Sequence, residues 1–261
     1  MKKAFLFTAF LGFLGTIIYA FTFLPGNNKL SVTNNLQRSA IKEGNAVVEL
    51  FTSEGCSSCP PAETVMKELQ KQYSDRNVYF LEYHVDYWDR LGWKDRFSDV
   101  AFTKRQNEYA TRLQLETIYT PQAIVNGTTE CVGSNKQRLT ELIEKNISSP
   151  AAEPSIGFIL EHHTKNVITL SFPEKLKLST NEKMQAALVQ KTATVQIKRG
   201  ENEGLQIMHY NTVLQLQEGT GKDRMNFTID ENLLPENLSV ILFIQNSRTG
   251  EIRFITQKQI I

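Results

Sequence analysis

Apolar residues change their spacing twice along this chain, near residue 46 and again across residues 148–154. Between those points, short apolar runs alternate with runs of three- and four-residue spacing, which predicts a strand over 46–52, a helix over 62–73 and a strand over 78–84. A further helix over 96–113 is predicted from a stripe of Phe97, Val100, Ala101, Tyr109 and Leu113. Strands at 122–126 and 129–132 flank Asn126-Gly127-Thr128, where Asn-Gly supplies the positive φ values of a tight hairpin turn. A helix over 136–146 closes this stretch.

The Ser, Pro and Ala run from Ser148 to Pro154 breaks the pattern, and the chain beyond it is rich in strands. They are expected at 167–172, 184–197, 205–217, 225–229, 240–245 and 252–257, separated by polar or glycine turns. A βαβ half and then an all-β half predict two domains of different class: an α/β domain over 46–150 and a smaller sandwich-like domain over 151–261. No internal repeat or low-complexity tract is present.

The stretch before residue 46 reads differently. Lys2 and Lys3 precede an almost uncharged apolar run from Ala4 to Leu24, the pattern of an export signal. Ile18-Tyr19-Ala20 matches a small-x-small cleavage site poorly, and the run has the length to span a bilayer, so residues 1–26 are a signal peptide or a retained N-terminal anchor. Either way the folded part is expected outside the cytoplasm, secreted or anchored at the periplasmic side of the inner membrane. Residues 27–45 read as a flexible spacer. A formal net charge of +1 across 261 residues leaves no global field to recruit nucleic acid.

Candidate chemistry sits at Cys56-Ser57-Ser58-Cys59, directly before Pro60-Pro61. Paired prolines fit only the first turn of a helix, where their missing amide hydrogens have no partner to lose, so a helix is expected to start close to Cys56. The positive end of that helix favours thiolate over thiol, which makes Cys56 the expected nucleophile and Cys59 the resolving thiol. A structural disulfide, a metal site in which His84 joins the two thiols, and an inert binding module compete with this assignment. A bridge closing so short a loop staples little, which favours exchange over stability. His84 and Asp86 end the second strand on the same rim as Cys56 and are candidates to tune the thiols or relay protons. Cys131, alone in a strand, reads as a small buried hydrophobe.

The run from Val47 to Glu63 around Cys56-Ser57-Ser58-Cys59 resembles the signature of an uncharacterised family of secreted bacterial proteins with a thioredoxin-like fold. His84-Val85-Asp86-Tyr87-Trp88-Asp89, Gly92-Trp93-Lys94-Asp95, Tyr119-Thr120-Pro121-Gln122, Arg199-Gly200-Glu201-Asn202 and His209-Tyr210-Asn211 resemble that family's other motifs. The resemblance implies a thioredoxin-like first domain and thiol-disulfide oxidoreductase activity on protein cysteines, with no cofactor. It implies a cis peptide bond at Thr120–Pro121 beside the cysteine pair, where an extended substrate would bind. It also implies a buried acid in the strand before the motif, for which Glu49 stands one residue out of the usual spacing. A metal chaperone using the same thiols and a redox-inactive envelope adaptor are the alternative functions.

Overall fold

The computed structural model describes residues 43–150, 157–164, 166–173, 177–220 and 224–260. The predicted signal or anchor and the spacer up to residue 42 lie outside the described residues. The first half runs β1 (Ala46–Thr52), α1 (Pro60–Gln72), β2 (Val78–His84), a 3-10 turn (Asp86–Leu91), α2 (Val100–Leu113), β3 (Gln122–Val125), β4 (Thr129–Val132) and α3 (Lys136–Ile147). The second half adds β5 (Ile159–Thr164), β6 (Val167–Ser171), β7 (Glu182–Gln196), β8 (Gln206–Gly219), β9 (Met225–Thr228), β10 (Leu238–Asn246) and β11 (Ile252–Gln259). Of these only β5 lacks an expected counterpart. Its Ile-Leu-Glu-His-His-Thr sequence has no sustained alternation of apolar and polar positions.

Strand β1 is buried at every position because both of its faces are covered. Val48 and Leu50 meet Ala62, Met66 and Leu69 of α1 and Leu139 and Ile143 of α3. Val47 and Phe51, on the other face, meet Phe102 and Tyr109 of α2. The side of α2 that faces the core matches the expected stripe at Tyr109 and Leu113 but not in its first turn. Phe102, Arg105, Gln106 and Tyr109 are buried, whereas Val100 is 69% exposed and Ala101 is also exposed. The helix starts at Val100, capped by the Asp99 side chain on the Ala101 amide, so Phe97 lies outside it. The Asn126-Gly127 hairpin forms as expected, with φ values of 49° and 70°.

All but three strands join one sheet, in the order β11-β10-β7-β8-β2-β1-β3-β4. Strand β1 is parallel to β2 and antiparallel to β3. Strand β2 in turn meets β8 in parallel, with Glu82 opposite Thr212. Strands β5, β6 and β9 form a second, three-stranded sheet, in which Ile168, Leu170 and Phe227 pack on Met184, Leu188, Val240 and Leu242 of the large sheet. The second half therefore does build two facing layers, but one of them continues the sheet of the first half, and residues 40–261 cluster as one unit. The fold is mixed α/β, a large and mostly β sheet with few helices. Alternation along a strand reports its two faces and not its neighbour, which is why the sequence reads as a separate sandwich.

Candidate functional site

The loop from Ser53 to Cys59 leaves the carboxyl end of β1 and enters α1. Helix α1 begins at Pro60, with Cys59 rather than Cys56 as its N-cap. The Cys59 carbonyl accepts the first helical bonds, from Ala62 N at 2.8 Å and Glu63 N at 3.3 Å. Cys56 lies one turn earlier, its carbonyl taking the Cys59 amide at 3.1 Å. The two cysteines are joined in a disulfide with Cα atoms 5.4 Å apart. Both residues are buried, Cys56 at 0% and Cys59 at 2% exposure, whereas Ser57 and Ser58 face solvent.

The Thr120–Pro121 bond is cis and stands beside this turn. The Ser58 hydroxyl donates to the Thr120 carbonyl at 3.2 Å and lies 3.3 Å from the Cys56 Sγ. The Trp88 indole N–H donates to the Thr120 Oγ1 at 2.9 Å, which fixes the far side of the same dipeptide.

His84 and Glu49 part company. His84, on the α1 side of β2, is fully buried, with its Nδ1 2.6 Å from the Asp95 Oδ2. Asp95 also accepts the amides of Glu54 (2.8 Å) and Phe97 (2.9 Å). Burial opposes its charge, but His84 and these amides outweigh it and hold the carboxyl below its usual range. Glu49 points to the opposite face with Val47 and Phe51. Its carboxylate accepts the Arg105 Nε at 2.8 Å and a short bond from the Tyr109 hydroxyl. Glu49 is thus paired with Arg105 and Tyr109 on the α2 side of the sheet. Asp86 also turns away: its Oδ1 accepts the Thr103 hydroxyl at 2.5 Å, tying the 3-10 turn to α2.

Instead, residues to which the sequence assigned no role complete the α1 side of the site. Glu82, two positions before His84 on β2, faces Glu63 of α1 across a fully buried space. Burial and the Glu63 charge raise Glu82 well above the usual carboxylate range. His209 enters from β8, with Nε2 3.5 Å from the Glu54 Oε1 and Nδ1 3.5 Å from the Glu63 Oε1. Burial disfavours its imidazolium, but Glu54 and Glu63 outweigh that and push it up to about 10. The His84 and His209 rings pack edge to face, centroids 4.6 Å apart. Trp93 donates to the Glu54 Oε2 at 2.6 Å. The one sequence signal for His209 and Asn202 was their place in the motifs around Arg199 and His209.

Asn202 couples the two halves directly: its Nδ2 donates to the carbonyls of Glu54 and Cys56, both at 2.9 Å, and the neighbouring Glu201 accepts the Ser57 amide at 3.3 Å. Replacing Asn202 with leucine leaves the Glu54 carbonyl unpaired and the Cys56 carbonyl with the Cys59 amide alone, so the protein is expected to lose about 1–3 kcal/mol in urea unfolding. A loss under about 0.5 kcal/mol would mean that the loop holds its shape without this clamp.

Cys131 packs in the core beside β1 and α3 with no disulfide partner. Burial, then the Glu130 charge, push its thiol up to about 11. Iodoacetamide at mildly alkaline pH is therefore expected to leave Cys131 unmodified in the native protein and to alkylate it in denaturant, as read by mass spectrometry. Modification of the native chain at the denatured rate would contradict the burial.

No helix among the described residues is long and apolar enough to cross a membrane. The structure is similar to the crystal structure of a protein from Agrobacterium tumefaciens, with 24% identity over 83% of this chain and 93% of that one and a TM-score of 0.56. A domain of the outer membrane lipoprotein Omp28 from Porphyromonas gingivalis matches 42% of this chain and 90% of its own length, at 13% identity and a TM-score of 0.25. No curated protein matches the chain. The model of a family described as "Protein of unknown function (DUF1223)" matches residues 47–245, and the chain belongs to that family.

Proposed function

We propose that the protein is an extracytoplasmic thiol-disulfide oxidoreductase acting on protein cysteines through Cys56 and Cys59. The observation that carries this reading is the meeting of the Cys56–Cys59 disulfide with the cis Thr120–Pro121 dipeptide, bridged by the Ser58 hydroxyl. The order β2-β1-β3-β4, with β3 reversed and the disulfide at the N-terminus of α1, supports a thioredoxin-like first half. A cleft of about 310 Å³ between α1 and β8 runs from Pro60 past Leu205 and Met208, both nearly half exposed, and offers an apolar seat for a substrate segment. Placement outside the cytoplasm rests on the apolar segment before Pro25, and there a disulfide persists.

Burial of both cysteines favours a second reading, a purely structural disulfide. Under the first, Cys56, 0% exposed, has to become accessible to a partner sulfur. One assay separates the two: the full-length chain and its Cys56→Ser variant are compared in reduction or oxidation of a small disulfide-bonded protein in glutathione buffers. Equal rates overturn the oxidoreductase reading.

A further inference from the structure

Glu82, His84 and His209 each present a ligand atom, and these atoms all lie within 4.8 Å of one another in the interior. We infer that these three side chains bind one divalent transition-metal ion of the zinc class, at a site separate from the thiols.

The strands deliver the set. Glu82 and His84 are two apart on β2, so the pleat puts both on the α1 face, and β8 runs alongside in parallel to bring His209 in from more than a hundred residues away. Two imidazoles and a carboxylate form a facial set suited to zinc and its neighbours. The ligand atoms of a tetrahedral zinc stand about 3.3 Å apart, given bonds of about 2.0 Å. The ligand atoms of Glu82, His84 and His209, all within 4.8 Å of one another, need to close by about 1.5 Å at most to reach that spacing.

The His84 Nε2 and the Glu82 Oε1 make no hydrogen bond although both residues are 0% exposed, and the His209 ring nitrogens, 1% exposed, have only carboxylate oxygens at 3.5 Å. Buried polar atoms are ordinarily satisfied, and several converging on one point mark a missing partner. His84 is also oriented as metal-bound histidines are. Asp95, already accepting two amides, takes the Nδ1 hydrogen and leaves the Nε2 lone pair aimed into the cluster. Glu63 lines the cleft between α1 and β8, which provides a way in.

The test strips the full-length chain with a chelator and reloads it with zinc alone, reading stoichiometry by elemental analysis and affinity by competition with a chelating dye. One zinc per chain is expected, kept by a Cys56→Ser/Cys59→Ser double variant and weakened about 100-fold or more by His209→Ala and by Glu82→Gln. No stoichiometric zinc, as for a cluster held by protons alone, overturns the site, as does unchanged affinity in His209→Ala. Loss of zinc in the double serine variant assigns the metal to the thiols and also overturns it. Should His209→Ala fail to fold, cobalt loading of the unaltered chain decides: ligand-field bands without a thiolate charge-transfer band support the site, and a thiolate band refutes it. Disulfide exchange is lost in the double serine variant whether or not zinc binds, so the two proposals fail separately.

Discussion

Serine at position 56 is expected to reduce disulfide exchange to the uncatalysed rate, a loss on the order of 10³-fold or more, as when an enzyme loses its nucleophile. In the reducing direction, the Cys56 thiolate attacks one sulfur of a substrate disulfide, forms a mixed disulfide and expels the other substrate sulfur as a thiolate that takes a proton from water. The Cys59 thiolate then attacks the Cys56 sulfur, expels the second substrate thiolate and closes the Cys56–Cys59 bond found here. Two electrons pass from the protein to the substrate, and the oxidising direction is the same path reversed. The roles differ, and so do the variants. Cys59→Ser still attacks but cannot resolve, so one substrate is expected to stay covalently attached per chain, visible by mass spectrometry and released by reductant. If the disulfide were only structural, neither variant would trap a substrate. Losing so short a crosslink would then show only as a stability loss of about 2 kcal/mol.

The elements nearest the chemistry were legible in the sequence because local rules determine them. Pro60-Pro61 marks the start of α1, Asn126-Gly127 the hairpin, and the apolar run of β1 a strand covered on both faces. The rest depends on which strands become neighbours, and no local pattern carries that information. Glu49 lies on the α2 face of β1, opposite α1, so its closeness to Cys56 in sequence misleads, while Glu82 on the adjacent strand reaches the α1 side. Asp95, rather than Asp86, meets His84, because the loop after the 3-10 turn folds back under the strand end. His209 and Asn202 join the site only because β8 pairs with β2, a contact spanning well over a hundred residues. The apolar stripe of α2 misleads in its first turn because polar Arg105 and Gln106 take inward positions beside Phe102 and Tyr109 while Val100 faces outward. Patterns that treat charge as surface invert at such a position.

That charge yields the largest expected loss of stability. Arg105 is 5% exposed, and its guanidinium donates to Glu49 and Tyr109 of the first half and to Gln185 (2.7 Å) and Gln245 (3.3 Å) of the second. It also lies 5.1–5.4 Å from the ring centres of Tyr83, Tyr109 and Phe243. Arg105→Met fills similar volume but leaves Glu49 buried without its counter-charge, at a cost of about 3–5 kcal/mol. For a chain of this size each kcal/mol lowers the melting temperature by about 2–4 °C, so a fall on the order of 10 °C is expected. Removing both charges should undo much of that, because a buried pair replaced as a whole by apolar groups of similar shape is often close to neutral. The double variant Glu49→Leu/Arg105→Met is therefore expected to melt above Arg105→Met alone, a coupling that separates charge from packing. Since β8 still pairs with β2 and one sheet runs through both halves, each variant should still unfold in one transition. Thermal and urea denaturation monitored by Trp88 and Trp93 fluorescence and by circular dichroism read all three quantities. A loss below about 1 kcal/mol in Arg105→Met would show that the halves hold together without this pair, and separate transitions for the two probes would show that the shared sheet alone does not couple them.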